Sequence, residues 1–187
     1  MEELNQWFEK GLSRYAYIHS MQVNQQHLLQ IYNSFHLEQF EKESLHSIQP
    51  QKLRALILTA DWCGDAMVNL PIFMRIADEA LIETRYFLRD DHLELMDQYL
   101  TNGTARSIPI IVLIDQEGKE VMRWGPRAPE LEELVSKRKS TLPDKESSDY
   151  QTAFKSFAQQ MAETYTQDQT SWDWIKNDIL KTLQKTL

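Results

Sequence analysis

The middle of the chain alternates short apolar runs with helical patterns, and this order constrains the fold more than any other feature. Residues 53–59 predict a buried strand, because the run is short, apolar and followed by a turn. Residues 64–82 predict a helix, residues 84–88 a second strand and residues 92–99 a short helix. Residues 108–114 are dense in Ile and Val and predict the strongest strand.

The segment after this strand predicts a hairpin and a closing helix. Residues 115–118 are typical of a turn, and residues 120–124 predict the returning strand. Pro129 opens the last helical pattern of this zone. A parallel crossover followed by an antiparallel hairpin gives a mixed central sheet flanked by helices, so the expected fold class is α/β.

Helical patterns extend the chain on both sides of this zone. We predict an N-terminal helical extension over residues 1–50, a core over residues 51–140 and a C-terminal helical extension over residues 141–187, packed on the core. Within the last of these, Ser171 is the predicted N-cap of the final helix.

Composition excludes several classes of function. The net charge of −8 argues against nucleic acid or an anionic membrane as the main partner, and no apolar run reaches the length of a membrane span. The acidic N-terminus is unlike a secretory signal, and a single cysteine permits no internal disulfide. Together these features predict a cytoplasmic location. The histidines lack metal-ligand spacing, so no metal site is expected.

Residues 60–66 contain the only cysteine, Cys63, between the first strand and the first core helix. A redox pair would need its second thiol three residues later, where the chain has Ala66. A thiol at a helix N-terminus meets unpaired N–H groups and the positive end of the dipole, which favour the thiolate. Asp61 and Asp65 oppose this, so we expect Cys63 to be somewhat acidified, but less than in a positively flanked site. For the two carboxylates themselves we expect helix capping and solvation.

Several positions resemble the thioredoxin family over about half of the chain. Trp62-Cys63-Gly64 is similar to the start of the family's active-site motif, and Ile108-Pro109 is similar to its cis-proline, which faces the active-site cysteine. Further positions fit the kink of the active-site helix, the hairpin turn and the end of the last strand: Pro71, Gly118 and Gly125. The resemblance implies a thioredoxin-like fold, here with additional N- and C-terminal helices, and is nearest to bacterial proteins with a Trp-Cys-Gly-Asp motif.

The chain departs from the family pattern at three positions. Ala66 replaces the second cysteine, Asp65 replaces the usual motif proline, and Ile57 replaces a buried acid regarded as the proton acceptor for that cysteine. The two losses are consistent with each other, because without the second thiol there is no proton for this acid to accept. An engineered replacement of the second cysteine would give the same string, and the sequence leaves that alternative open.

What the resemblance implies for function is a monothiol thiol–disulfide oxidoreductase. Cys63 would be the nucleophile, and an external thiol such as glutathione would resolve its mixed disulfide, without a bound cofactor. The expected partners are protein or small-molecule disulfides. The motif residues would surround the thiol, and the cis-proline would present the backbone of a substrate groove by β-augmentation. These site residues are Trp62, Gly64, Asp65 and Ala66 in the motif, and Ile108 and Pro109 in the groove.

Two other hypotheses stay open at this point. The chain could be a redox-inactive binding module that keeps the cis-proline groove for protein interaction, with Cys63 acting as a small structural hydrophobe. Alternatively, the helical additions could serve a stress-related interaction. Whether the protein is an enzyme is therefore undecided by the sequence.

Overall fold

The computed structural model describes residues 3–186, and a four-stranded sheet lies at the centre of this part of the chain. The strands are β1 (Arg54–Thr59), β2 (Glu83–Leu88), β3 (Ile110–Ile114) and β4 (Glu120–Trp124), in the spatial order β2-β1-β3-β4. β1 and β2 are parallel, whereas β3 is antiparallel to both of its neighbours. The predicted mixed sheet and α/β class are confirmed.

Helices precede, interrupt and follow the sheet. Before it come α1 (Leu4–Lys10), α2 (Arg14–Ser20), α3 (Gln25–Ser34) and α4 (Gln39–His46); α5 (Gly64–Ala80) and α6 (Leu93–Met96) lie between its strands; α7 (Pro129–Lys139), α8 (Tyr150–Gln167) and α9 (Gln169–Thr186) follow it. Single turns of 3₁₀ helix occupy Gln49–Gln51 and Arg89–Asp91. No helix within residues 3–186 has the length and apolar character needed to cross a membrane.

The core is built around the inner strands and α5. Every residue of β3 is buried, as expected for an apolar strand with a partner on each side. The buried face of α5 packs against α3 and α4 from the N-terminal segment and against α8 and α9 from the C-terminal segment. The additional helices at both ends are therefore present, and both sets contact α5, the core helix that begins directly after Cys63.

The N-terminal segment joins the core through backbone as well as side chains. Leu12 and Tyr86 exchange two backbone hydrogen bonds, each of 2.9 Å, at the outer edge of β2. The rings of Tyr17 and Tyr86 stack with centroids 4.8 Å apart, and the Tyr17 hydroxyl lies 3.0 Å from the Thr59 hydroxyl. A Cβ atom on Gly11 would lie 2.6 Å from Arg85 and Phe87, so a larger residue there would displace this edge.

Two predicted boundaries are wrong for identifiable reasons. β3 begins at Ile110 rather than at residue 108, and the preceding Pro109 has no N–H to donate to the sheet. Ser171 is not the N-cap of α9, which begins at Gln169. The side chain of Asp168 accepts the N–H of Thr170 at 2.9 Å, while Ser171 donates its hydroxyl to the Asp168 carbonyl at 2.7 Å.

Candidate functional site

Cys63 follows the turn after β1 and is the N-cap residue of α5. Its sulfur accepts a hydrogen bond from the backbone N–H of Ala66 at 3.5 Å, as a capping side chain does. The thiol donates to the carbonyl oxygen of Ile108 at 3.4 Å, and the Ile108–Pro109 peptide bond is cis. The turn after β1 and the residues before β3 therefore bring the predicted nucleophile beside the predicted groove residues.

The ionisation of Cys63 differs from the expectation. Burial raises the pKa of the thiol to about 11, and the nearby Asp65 carboxylate adds to the rise. The backbone N–H groups of Ala66 and Asp65 and the charge of Arg127 lower the pKa, but by less. The predicted acidification is wrong, because removal of the thiol from water outweighs the helix N-terminus.

Asp65 is held by two side chains from distant parts of the chain. The Tyr165 hydroxyl donates to Asp65 Oδ1 at 2.8 Å, and Arg127 Nη2 lies 2.6 Å from Asp65 Oδ2. The side chains of Asp65 and Arg127 are only 14% and 16% exposed, so this pair is shielded from solvent. Arg127 also contacts Glu132. Solvation of Asp65, as expected from the sequence, is therefore wrong: its carboxylate fastens α8 and the loop before α7 to the start of α5.

The contact that Tyr165 makes at this site could not be predicted from the sequence. It lies in the apolar stripe of α8, where an aromatic side chain predicts only packing. Burial and the adjacent Asp65 charge raise the pKa of Tyr165, so its hydroxyl stays a neutral donor. The sequence also gave no signal for Arg127, which follows the second cis-proline bond, Gly125–Pro126.

Asp61 connects the site to the N-terminal segment. Its Oδ2 accepts the backbone N–H of Gln22 at 2.7 Å and that of Val23 at 3.2 Å. The Asn24 side chain donates to the Asp61 carbonyl at 2.8 Å. The expectation that Asp61 caps a helix or is simply solvated is wrong, because the carboxylate orders the link between α2 and α3.

The remaining motif and groove residues differ in exposure. Trp62 is 52% exposed, and the guanidinium of Arg89 lies 4.6 Å from the centroid of one of its rings. Ile108 and Pro109 are both buried. Gly125 has a φ of 118°, and a Cβ atom there would overlap the Pro109 carbonyl oxygen. The predicted groove residues thus face protein rather than solvent in this conformation.

A cavity of about 620 Å³ opens beside Cys63. α8 contributes more of its lining residues than any other element, α7 contributes two, and the motif residues form the end at which the thiol lies. The α8 side chains that line it are Phe154, Phe157, Ala158, Met161, Ala162 and Tyr165. The thiol is thus largely buried, yet it lines a cavity that a small molecule could enter.

Potential metal ligands are dispersed over the described part of the chain. No three His, Cys, Asp or Glu side chains within residues 3–186 lie together in an arrangement that could hold a metal ion. Two of the histidines instead lie within hydrogen-bond distance of other protein groups. His46 Nε2 lies 3.0 Å from the Glu79 carboxylate, and His92 Nδ1 lies 3.1 Å from the Leu88 carbonyl oxygen.

Comparison with solved structures gives the fold. A protein of unknown function from Pseudomonas aeruginosa is 16% identical, with a TM-score of 0.68 and 100% of each chain covered. An HIV epitope scaffold is 15% identical, with a TM-score of 0.66 and again 100% of each chain covered. A thioredoxin from Fasciola hepatica is 27% identical over 51% of this chain and 88% of its own, with a TM-score of 0.34.

Comparison with protein families gives the classification. No curated protein matches the chain. The family model described as Thioredoxin matches residues 11–146, which include most of the N-terminal helices, the whole sheet and α7. The match covers well over half of the chain. The chain belongs to the thioredoxin family.

Proposed function

We propose that this protein is a monothiol thiol–disulfide oxidoreductase that acts through Cys63. One observation carries the proposal: the sulfur lies at the N-cap of α5, 3.4 Å from the Ile108 carbonyl, and lines a cavity open to solvent. The N–H of Ala66, directed at the sulfur, would stabilise a thiolate there.

The proposed reaction exchanges one disulfide for another. The Cys63 thiolate attacks one sulfur of the substrate disulfide; a bond forms between the two sulfurs, and the other substrate sulfur leaves as a thiolate with the electron pair. A low-molecular-weight thiolate, such as that of glutathione, then attacks the sulfur bonded to Cys63 and releases the Cys63 thiolate. One S–S bond breaks and one forms in each step, so no further oxidant or reductant is needed. Ala66 makes the external thiol necessary, because Cys63 is the only cysteine of the chain.

The raised pKa of Cys63 sets the pH dependence of this reaction. With a pKa of about 11, only a small fraction of the thiol is ionised near neutrality, so turnover should increase with pH. A cytoplasmic location, where low-molecular-weight thiols are kept reduced, would suit this chemistry.

The same burial favours a second candidate, a redox-inactive binding module. In that case Cys63 only packs, and the fold serves protein interaction through the cis-proline groove. Because Ile108 and Pro109 are buried, this candidate requires the covering elements to move before a peptide can pair with them.

Reduction of a glutathionylated peptide by glutathione separates the two candidates. We expect the protein to accelerate the reaction and Cys63→Ser to reduce the rate to that without protein, with a Cys63–glutathione adduct detected by mass spectrometry. Equal rates for the wild type and Cys63→Ser would exclude the oxidoreductase. Peptide binding that survives Cys63→Ser but is lost in a folded Pro109→Thr variant would establish the binding module.

A further inference from the structure

The cavity beside Cys63 has the properties of a small-molecule site. Its volume of about 620 Å³ falls within the range of roughly 300–1,000 Å³ typical of ligand pockets. Phe154, Phe157, Met161 and Met67 make its wall largely apolar. Ile108 and Pro109 are not among the lining residues, so the space leads to the thiol without following the predicted peptide groove.

One charge in this lining is uncompensated. Asp65 and Arg127 form a hydrogen-bonded ion pair, so neither is free to bind a ligand. Lys139, at the end of α7, also lines the cavity, is exposed, and has no ion-pair partner within residues 3–186. In a chain with a net charge of −8, this side chain gives the cavity a local positive charge.

We infer that the cavity binds a small thiol or disulfide that combines an apolar body with a carboxylate. The apolar body would pack against the α8 side chains, the carboxylate would contact Lys139, and the sulfur would lie beside Cys63. This inference rests on the proposed function and names its substrate class: a low-molecular-weight thiol in free or mixed-disulfide form, rather than an extended polypeptide.

An anionic and a neutral aromatic disulfide test the inference. Dithio-bis-nitrobenzoate carries a carboxylate on each ring, whereas dithiodipyridine is neutral. We expect the rate of Cys63 modification to saturate with the anionic reagent. Lys139→Gln should raise the half-saturating concentration about threefold to tenfold, and should leave the rate with the neutral reagent unchanged. Lys137→Gln, which removes the same charge from an exposed position of α7 outside the cavity, should have no effect.

A pair of variants on α8 tests the cavity itself. Ala158 and Gln159 are neighbouring exposed residues, but only Ala158 lines the cavity. Ala158→Phe should abolish the saturation with dithio-bis-nitrobenzoate, and Gln159→Phe should preserve it. A rate that is linear in reagent concentration for the wild type, or that responds equally to Lys139→Gln and Lys137→Gln, would overturn the inference.

Binding of an unreactive analogue separates this inference from the proposed function. Methylthio-nitrobenzoate retains the ring and carboxylate but cannot exchange disulfides, and its binding to Cys63→Ala can be followed by calorimetry. Lys139-dependent binding without turnover of the glutathionylated peptide would uphold the site and refute the oxidoreductase. Turnover without such binding would overturn the site and leave the oxidoreductase standing.

Discussion

The N-terminal helices and α8 are both additions to the sheet, but they contact the rest of the molecule in opposite ways. Phe8, Tyr17 and Leu28 are almost completely buried, and the backbone of Leu12 pairs with β2. The first part of α8, residues 150–160, is mostly exposed, and the buried residues of the helix, Met161 and Tyr165, lie in its second part. The difference indicates that the N-terminal helices complete the core, whereas α8 covers the thiol and leaves a cavity beneath it.

Truncation of one phenylalanine in each region tests the difference in packing between the N-terminal helices and α8. Phe8 is 2% exposed and packs beneath Arg54 and Arg85, whereas Phe154 is 40% exposed. We expect Phe8→Ala to lower the free energy of unfolding by about 3–5 kcal/mol and Phe154→Ala by less than about 1 kcal/mol. Urea denaturation with unchanged m-values would measure both. Equal losses would contradict the assignment of different roles to the two segments.

The pH dependence of stability tests whether Cys63 is shielded from solvent in the folded protein. The pKa of Cys63 is about 11 in the folded protein and about 8.5 in an unfolded chain. A raised folded-state pKa contributes stability below the unfolded value, and the contribution is lost as the pH rises through the folded value. The wild type should therefore lose about 2–3 kcal/mol more than Cys63→Ala between about pH 8.5 and 11.

Denaturation of both proteins across this range measures the difference. The tyrosines that titrate at high pH are common to the two proteins, so they cancel in the comparison. Parallel pH profiles for the wild type and Cys63→Ala would show that the thiol ionises equally easily in both states, contrary to a covered position.

A smaller effect is expected from the hydrogen bond that holds α8 over the site. Tyr165→Phe removes the donor to Asp65 Oδ1 and should destabilise the protein by about 1 kcal/mol. Because α8 would open more often, alkylation of Cys63 by iodoacetamide should become several-fold faster. Tyr150→Phe, about four turns away on the same helix, is the control and should change neither quantity. Unchanged alkylation in Tyr165→Phe would mean that this contact does not control access.

Much of the fold could be predicted from the sequence, because each strand and helix signal is local. The apolar runs that became β1 and β3, and the hairpin before β4, follow from short-range patterns. That Pro109 lies beside Cys63 could be predicted only from the resemblance of their spacing to that of the thioredoxin family. The Tyr165–Asp65–Arg127 contact could not be predicted, since Tyr165 is separated from Asp65 by 100 residues and lies in a stripe that indicates only packing.

The pKa of Cys63 likewise depends on long-range packing that local sequence patterns do not reveal. The sequence shows that a helix begins at the thiol, which predicts acidification, and that Asp61 and Asp65 neighbour it, which limits the predicted shift. Burial is the largest cause of the raised pKa. Tyr165 lines the same cavity as Cys63, and its ring would lie 3.8 Å from a Cβ atom on the adjacent Gly64. The burial that opposes acidification depends on packing between distant segments, and the sequence does not reveal that packing.

The apparent pKa of Cys63 in the folded protein is the most direct test of this account. The rate of alkylation can be measured against pH, with the urea-unfolded chain as the reference that titrates near about 8.5. A sheltered thiol predicts a folded-state rate that keeps rising through the alkaline range towards a pKa of about 11. A plateau at or below the pH at which the unfolded chain titrates would show an exposed or activated thiolate and would contradict the covering role of α8.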